Sequence, residues 1–230
     1  MKYEWKKQEK EIYGVSTTPC MIDVPSQKYI TISGVGNPNN DIFSEKVAAL
    51  FSVAYKIKMT YKSSSRKNQE MSDYAVYPLE GIWSKISPKE ELVKEELQYT
   101  IMIRQPDCIT KEMFDSALEL VKKKKSNSYL ADISFETIHD GKCVQVLHKG
   151  AYDDEPASFE AMDNYCLEQG YERIGEKHRE IYLNNANRTE QSKLKTILRY
   201  KVMDADEKNI HLYERKGRRT WEDQQQKQIY

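Results

Sequence analysis

The sequence predicts an α+β fold of two duplicated β-α-β-β modules related by a pseudo-twofold, with antiparallel sheets, helices on one face and a ligand groove between the modules. Runs rich in β-branched and aromatic residues alternate with amphipathic stretches. The order strand, helix, strand, strand occurs twice. A hydrophobic content of 39% in 230 residues is enough for a core. We expect the groove on the sheet face opposite the helices.

The first module covers about residues 1–108. In its helix, Val47, Leu50, Phe51 and Ala54 recur at spacings of three and four, as in a helix packed on a sheet. The predicted elements are a strand at 28–36, a helix at 41–58 and strands at 74–83 and 97–105.

The second module covers about residues 129–202 and is joined to the first by a helix at 110–125, with Thr110 as its N-cap. Its predicted elements are strands at 130–138 and 142–150, a helix at 158–169 and strands at 178–185 and 195–202. We therefore expect one domain over residues 1–202. The charged, Gln-rich tail at 203–230 either adds a short strand near 210–213 or is partly disordered.

Composition excludes several classes of function. Lysine and arginine balance aspartate and glutamate at 36 each, which argues against a general attraction to nucleic acid or membranes. No apolar run is long enough for a transmembrane helix, and the first residues do not resemble a signal peptide, so we expect a cytoplasmic protein. The four cysteines are far apart and predict free thiols.

No cofactor or metal is expected. The acidic run Asp153, Asp154 and Glu155 precedes a predicted helix, and the helix dipole is sufficient to explain it. Neither a GxSxG motif nor a Gly-rich phosphate loop is present, which disfavours acyl transfer and nucleotide binding.

The segment HREIYLNN, residues 178–185, places a carboxylate within a predicted strand. A period of two puts His178, Glu180 and Tyr182 on one face, opposite the apolar Ile181 and Leu183. Aligning AVY of the first module with EIY of the second pairs Ala75 with Glu180 and Tyr77 with Tyr182. A glutamate present in only one module indicates a function, although a solvated strand residue is the simpler alternative. The candidate ligand-binding residues are Glu180, Tyr182, Tyr77, Trp83, Tyr152, His148 and Ala75.

A glutamate among aromatic rings has two chemical uses, and the sequence leaves both open. It can bind an aromatic cation or a polar planar molecule by charge and stacking. It can also act as a general base on water, with Tyr77 or Tyr152 as the acid. Core packing is an equal alternative for Tyr77 and Trp83.

Several segments together resemble the GyrI-like small-molecule-binding family over about residues 1–202. They are YEW near the start, YITISGVGNPN, YPLEGIW, MIRQPD, VQVLHKGAYDDEP, HREIYLNN and KLKTILRY. The resemblance implies a pocket between the two halves with Glu180 at its centre, and aromatic walls at Tyr77, Trp83, Tyr152 and Tyr182. Where relatives often have HHEIYLSDPRRT, this chain has Arg179 before the glutamate, and Asn185 and Asn187 after it.

The resemblance implies a fold shared with effector-binding domains of drug-sensing transcription regulators and with small proteins that protect DNA gyrase from toxins. Some stand-alone members of the family hydrolyse cyclopropane-bearing DNA-alkylating drugs. The resemblance therefore implies a stand-alone protein that binds hydrophobic aromatic or cationic xenobiotics, with a cyclopropanoid hydrolase as the alternative. A third hypothesis is an interaction protein that binds a toxin or a topoisomerase. The expected partner is an aromatic small molecule, with no membrane association, for a monomer or homodimer. Direct DNA binding is not expected, because about 25 residues before the first strand are too few for a helix-turn-helix.

Overall fold

The computed structural model describes residues 1–64, 71–87, 93–124 and 126–206. Most of the predicted tail, including the possible strand at 210–213, lies outside these residues. The helices of the described part are α1 (Trp5–Gln8), α2 (Lys10–Tyr13), α3 (Asp41–Ser64), α4 (Lys111–Lys122) and α5 (Glu155–Gln169). Its strands are β1 (Lys2–Tyr3), β2 (Cys20–Val24), β3 (Gln27–Val35), β4 (Asp73–Tyr74), β5 (Leu79–Lys85), β6 (Leu97–Gln105), β7 (Ser134–Ile138), β8 (Gly141–Lys149), β9 (Tyr171–Arg173), β10 (His178–Tyr182) and β11 (Lys195–Asp204).

One large antiparallel sheet dominates the fold and confirms the predicted α+β class. Its strand order is β2-β8-β11-β10-β5-β6-β3-β7, and β9 pairs with β11. The two predicted modules meet at the pairing of β10 with β5. Strand β2 precedes β3 in sequence but pairs with β8, while β7 precedes β8 but pairs with β3. Each module therefore contributes an edge strand to the other, and the pseudo-twofold relation itself stays a prediction.

The two long helices lie on the same face of this sheet. Directly paired residues point to the same side of a sheet, so a row across the strands identifies the face. One such row consists of Ile32, Ile101, Gly81, Glu180, Leu198 and Val146. Its first two members belong to the core cluster that includes residues of α3, and its last two to the cluster that includes residues of α5. Glu180 therefore lies between two apolar cores on the helix face.

This placement corrects the expectation of a groove on the face opposite the helices. The opposite face is covered by the short helices α1 and α2, which the sequence did not predict. Arg199 donates a hydrogen bond to the Ile12 carbonyl at 3.2 Å, and Gln145 donates to the Glu11 carbonyl at 3.3 Å. A ligand groove can form only where the sheet is left uncovered, which is between α3 and α5.

The predicted strand at 74–83 is also wrong in its extent. The structure has only the two residues of β4, then an irregular segment at 75–78, and β5 begins at Leu79. Pro78 has no backbone N–H and restricts the residue before it, which explains the interruption. The linking helix α4 does begin after Thr110, whose hydroxyl accepts a hydrogen bond from the Met113 amide at 3.4 Å. No helix of the described part is long and apolar enough to cross a membrane.

Candidate functional site

A groove with a volume of about 1770 Å³ lies between α3 and α5, over the central strands β5 and β10. Helix α3 contributes apolar side chains to one side, and α5 with the turn before it forms the other. Aromatic rings line the groove on both sides and at its base. They belong to Trp5, Phe43, Phe51, Trp83, Tyr152, Phe159 and Tyr182.

Glu180 lies at the base of the groove and is held by hydrogen bonds to both of its carboxylate oxygens. The Tyr182 hydroxyl donates to Oε2 at 2.8 Å, and Nε2 of His178 lies 3.0 Å from Oε1. The Trp83 indole in turn donates to the Tyr182 hydroxyl at 3.0 Å. Glu180 is only 9% exposed. The carboxylate is therefore fixed in position, while an oxygen can still accept a further hydrogen bond from a ligand.

The tyrosines beside Glu180 remain neutral at physiological pH. Burial and the negative charge of Glu180 raise the pKa of Tyr182 well above its ordinary value. Burial, Glu180 and Glu155 together raise the pKa of Tyr152 to about 12. The two rings contact edge to face, with centroids 6.0 Å apart. The Tyr182 hydroxyl thus donates to the carboxylate, and the neutral Tyr152 ring packs beside it.

The sequence analysis missed a second carboxyl group in this groove, Glu155. This first residue of α5 is 7% exposed, and its Oε1 has no hydrogen-bond partner among the described residues. Burial, the charge of Glu180 and the charge of Asp153 raise the pKa of Glu155 to about 9. Glu155 is therefore a neutral acid at pH 7, beside an anionic partner.

Helical spacing could have identified Glu155. Together with Phe159, Met162 and Cys166 it follows a spacing of four, three and four, which places it on the inward face of α5. The prediction began this helix at Ser158 and attributed the acidic run to the helix dipole. Asp153 and Asp154 are exposed, as that explanation requires, whereas Glu155 is not.

The overall charge of the groove is negative. Among the described residues that line it, three are permanently cationic: Lys85, Lys94 and Arg173. Six carry a carboxyl group: Asp153, Glu155, Glu160, Asp163, Glu176 and Glu180. Even with Glu155 neutral, the carboxylates outnumber the cations, so the groove favours a positively charged ligand.

The structure does not bring Tyr77 and Ala75 into the groove. Glu180 pairs with Gly81 rather than with Ala75, which lies before β5 and donates its amide to the Tyr3 carbonyl at 2.8 Å. The Tyr77 hydroxyl donates to Glu9 at 2.5 Å, and its ring is buried. The predicted pairing is wrong because AVY and EIY are alike in sequence but occupy different positions relative to their strands.

Trp83, Tyr152 and Tyr182 do line the groove with Glu180, as expected from the sequence. His148 is 4% exposed and lies beneath the first turn of α5. Its Nδ1 is 2.9 Å from the Ser158 hydroxyl, and its Nε2 is 2.9 Å from the Ala151 carbonyl. Both ring nitrogens are occupied, so His148 connects β8 to the start of α5 rather than contacting a ligand.

Behind Glu180, on the opposite sheet face, Arg179 occupies a buried polar site. It donates to Glu80 at 2.7 Å, forms an ion pair with Asp140 at 2.9 Å, and lies 5.2 Å from the Tyr29 ring centroid. Because successive strand residues point to opposite faces, anchoring Arg179 also fixes the orientation of Glu180. In the described part, no group of three or more His, Cys, Asp or Glu residues is arranged to hold a metal ion.

Comparison with known proteins gives consistent findings. The model of a family described as the GyrI-like small molecule binding domain matches residues 17–201. No curated protein matches the chain. The chain is similar to the crystal structure of an uncharacterized conserved protein from Listeria innocua, with 30% identity and a TM-score of 0.80 over 87% of this chain and 100% of that one.

Two structures described as hydrolases from the same organism are similar to the same degree. One shares 30% identity at a TM-score of 0.80, over 88% of this chain and 100% of its own. The other shares 29% identity at a TM-score of 0.78, over 87% of this chain and 100% of its own. The likeness therefore extends over nearly all of the fold that carries the groove.

Proposed function

Since the chain belongs to the GyrI-like small molecule binding domain family, we propose that it is a cytoplasmic protein that binds hydrophobic aromatic cations in the groove between α3 and α5. The ligand's positive charge lies against Glu180, and its rings pack against Trp83, Tyr182 and Phe159. Typical ligands are planar or multi-ring xenobiotics. The protein contacts them through aromatic faces and the fixed carboxylate of Glu180.

The observation that carries this proposal is a buried carboxylate at the base of an aromatic groove. Burying a carboxylate is costly unless it is hydrogen-bonded or paired with a charge. Glu180 has neutral donors such as Tyr182, whereas Arg179, the adjacent strong cation, points to the opposite face. A cationic ligand would supply the missing counter-charge in a site of low dielectric, where the attraction is stronger than in water.

The size and shape of the groove support the same proposal. Its volume of about 1770 Å³ exceeds what one small metabolite needs. Aromatic side chains on α3, β5, β10 and α5 provide several faces for stacking. Such a surface suits molecules of several fused rings and tolerates variation among them.

A charge-neutral substitution at the centre of the groove tests the proposal. We expect Glu180→Gln to weaken the binding of a cationic dye such as rhodamine 6G by about 1.5 to 3 kcal/mol, as expected for the loss of a charge-assisted contact. Fluorescence anisotropy measures the affinity. Glu168→Gln is the matched control, since it removes the same charge from an exposed residue of α5 that does not line the groove. Equal affinity of the Glu180→Gln variant and the wild type for the dye would refute the proposal that Glu180 forms the binding site.

A second candidate function is hydrolysis of strained-ring electrophiles, favoured by the combination of Glu180 and Glu155. An ionised carboxylate can accept a proton from water, while a neutral acid can donate one to the opened ring. The hydroxyl of water joins the attacked ring carbon, and the electron pair of the broken bond takes up a proton. Glu155, with a pKa of about 9, suits the acid role better than Tyr152, and Tyr77 lies outside the groove.

Mass spectrometry separates binding from hydrolysis. Incubation with a cyclopropane-bearing alkylating compound yields a product heavier by one water if the protein is a hydrolase. Glu180→Gln should then abolish turnover, while Glu168→Gln, outside the groove, should retain it. Saturable binding of several such compounds without any mass gain would leave binding as the function.

A further inference from the structure

Glu155 is the feature of the groove that ligand binding by Glu180 alone does not use. A carboxyl group at a helix N-terminus is ordinarily an exposed anion, stabilised by the helix dipole. Glu155 instead is only 7% exposed. One of its oxygens lacks a hydrogen-bond partner within the described residues.

The charged groups that act on Glu155 come from two elements. The turn before α5 supplies Asp153, and β10 supplies Glu180, so both nearby charges are negative. The hydroxyls of Tyr152 and Tyr182 lie in the same region and are neutral.

The cations and imidazoles nearby are already engaged. Lys94 pairs with Asp153 at 3.7 Å, on the solvent side, where both partners are largely exposed. His148 beneath the turn has both ring nitrogens in hydrogen bonds. His178 lies against Glu180 at 3.0 Å. Within the described residues, none of these groups offsets the repulsion between Glu155 and Glu180.

We propose that Glu155 is a second acidic group of the ligand site that releases its proton when a cation occupies the groove, so that cation binding and proton release are linked. The inference rests on the proposed binding function. In the empty groove the two carboxyl groups share one negative charge. A bound cation neutralises the repulsion between them, and the second carboxyl group can then ionise. The occupied site holds two carboxylates around one cation.

The linkage makes the protein selective by charge. A cation gains a second anionic partner on binding, whereas a neutral molecule of the same shape does not. Because linkage is reciprocal, raising the pH strengthens cation binding to the extent that binding releases protons. Burial and the negative charges nearby raise the pKa of Glu155 to about 9 in the empty groove. Affinity for a cation should therefore rise by up to about tenfold per pH unit below pH 9 and level off above it.

Isothermal titration calorimetry of the wild-type protein tests this directly. The probes are tetraphenylphosphonium, a cation with no titratable group, and triphenylphosphine oxide, its neutral counterpart. Titrations at pH 7.5 in phosphate and in Tris give the number of protons released, because the two buffers differ in heat of ionisation. We expect release of up to about one proton per tetraphenylphosphonium and none for the neutral probe.

Two variants identify the residue that releases the proton. Glu155→Gln should bind tetraphenylphosphonium without proton release and with an affinity that no longer rises toward pH 9. Glu168→Gln, which changes an exposed residue of the same helix outside the groove, should release protons like the wild type. Wild-type binding without proton release, or equal release from Glu155→Gln, would overturn the linkage and leave the binding function intact. Failure of the wild type to bind any aromatic cation would instead overturn the proposed function and the linkage with it.

Discussion

A methyl group added at Gly81 should disturb the groove through a single neighbour, Trp83. The Cβ of an alanine at position 81 would lie 2.5 Å from Nε1 and 3.1 Å from Cε2 of this indole. Ordinary contacts begin near 3.4 Å, so the indole must move by about 0.9 Å, the difference between 3.4 and 2.5 Å. Gly81 has no left-handed backbone conformation, so the strain comes from the contact alone.

The displacement has a calculable cost. The hydrogen bond from Trp83 to the Tyr182 hydroxyl is 3.0 Å long, and a shift of this size takes it beyond useful range. Overpacking costs about 1 to 3 kcal/mol, and a hydrogen bond contributes about 1 kcal/mol. We therefore expect Gly81→Ala to lower the free energy of unfolding by about 2 to 4 kcal/mol. Affinity for a cationic dye should fall as well, because Trp83 forms part of the site.

A double-mutant cycle checks this reasoning. Urea unfolding followed by circular dichroism gives the cost of Gly81→Ala in the wild type and in a Trp83→Leu background. Leucine lacks the two atoms that the methyl group meets, so the cost there should fall below about 1 kcal/mol. An equal cost in both backgrounds would refute the argument, since the methyl group would then act on something other than the indole.

Three further predictions concern other residues. Glu80→Gln should lower the free energy of unfolding by about 1.5 to 3 kcal/mol, because Arg179 loses one charged partner but keeps its ion pair with Asp140; urea unfolding measures this. Glu155→Gln should remove a pH dependence of stability. The folded-state pKa of Glu155 is about 9 against an ordinary 4.5, so the folded state retains a proton that the unfolded state loses, and wild-type stability should fall relative to the variant from pH 5 to 9. Tyr77→Phe should cost about 1 kcal/mol of stability through its hydrogen bond to Glu9, and leave dye affinity within about twofold.

Each of these has a control in the same chain. Glu190→Gln removes an exposed ion pair with Lys193 and should change stability by less than about 0.5 kcal/mol, in contrast to the buried pair. Glu160→Gln should keep the wild-type dependence of stability on pH. Tyr152 lines the groove, so Tyr152→Phe should change the affinity for the dye. If Tyr77→Phe lowered the affinity and Tyr152→Phe did not, the positions assigned to these two residues would be contradicted.

Much of the fold follows from local pattern. The strand at 97–105 and the end of α5 at Gln169 match the predicted positions, because alternation and helical spacing are properties of neighbouring residues. The predicted strand at 74–83 extends too far, because Pro78 interrupts a segment whose aromatic residues favour a strand. The short helices α1 and α2 were missed, since four-residue helices depend on tertiary contacts for stability.

The residues of the candidate site likewise fall into those that the sequence predicts and those that it does not. Glu180 and Tyr182 could be placed on one strand face from the sequence, because a period of two requires it. The sequence does not specify whether Tyr77 or Gly81 lies beside Glu180, because strand register depends on where each strand begins and on which strands pair. Glu155 was assigned to a solvated helix end, and only the packing of α5 shows that it is buried beside a second carboxyl group.

The sequence by itself determined the α+β class, the central glutamate and the aromatic character of its surroundings, since these depend on residue type and local spacing. Only the tertiary structure decided that the groove lies between the two long helices, that Tyr77 is outside it and that Glu155 is inside it. The reason is physical: burial and the electrostatic coupling of two carboxyl groups depend on distances between segments far apart in the chain. Local periodicity does not specify those distances.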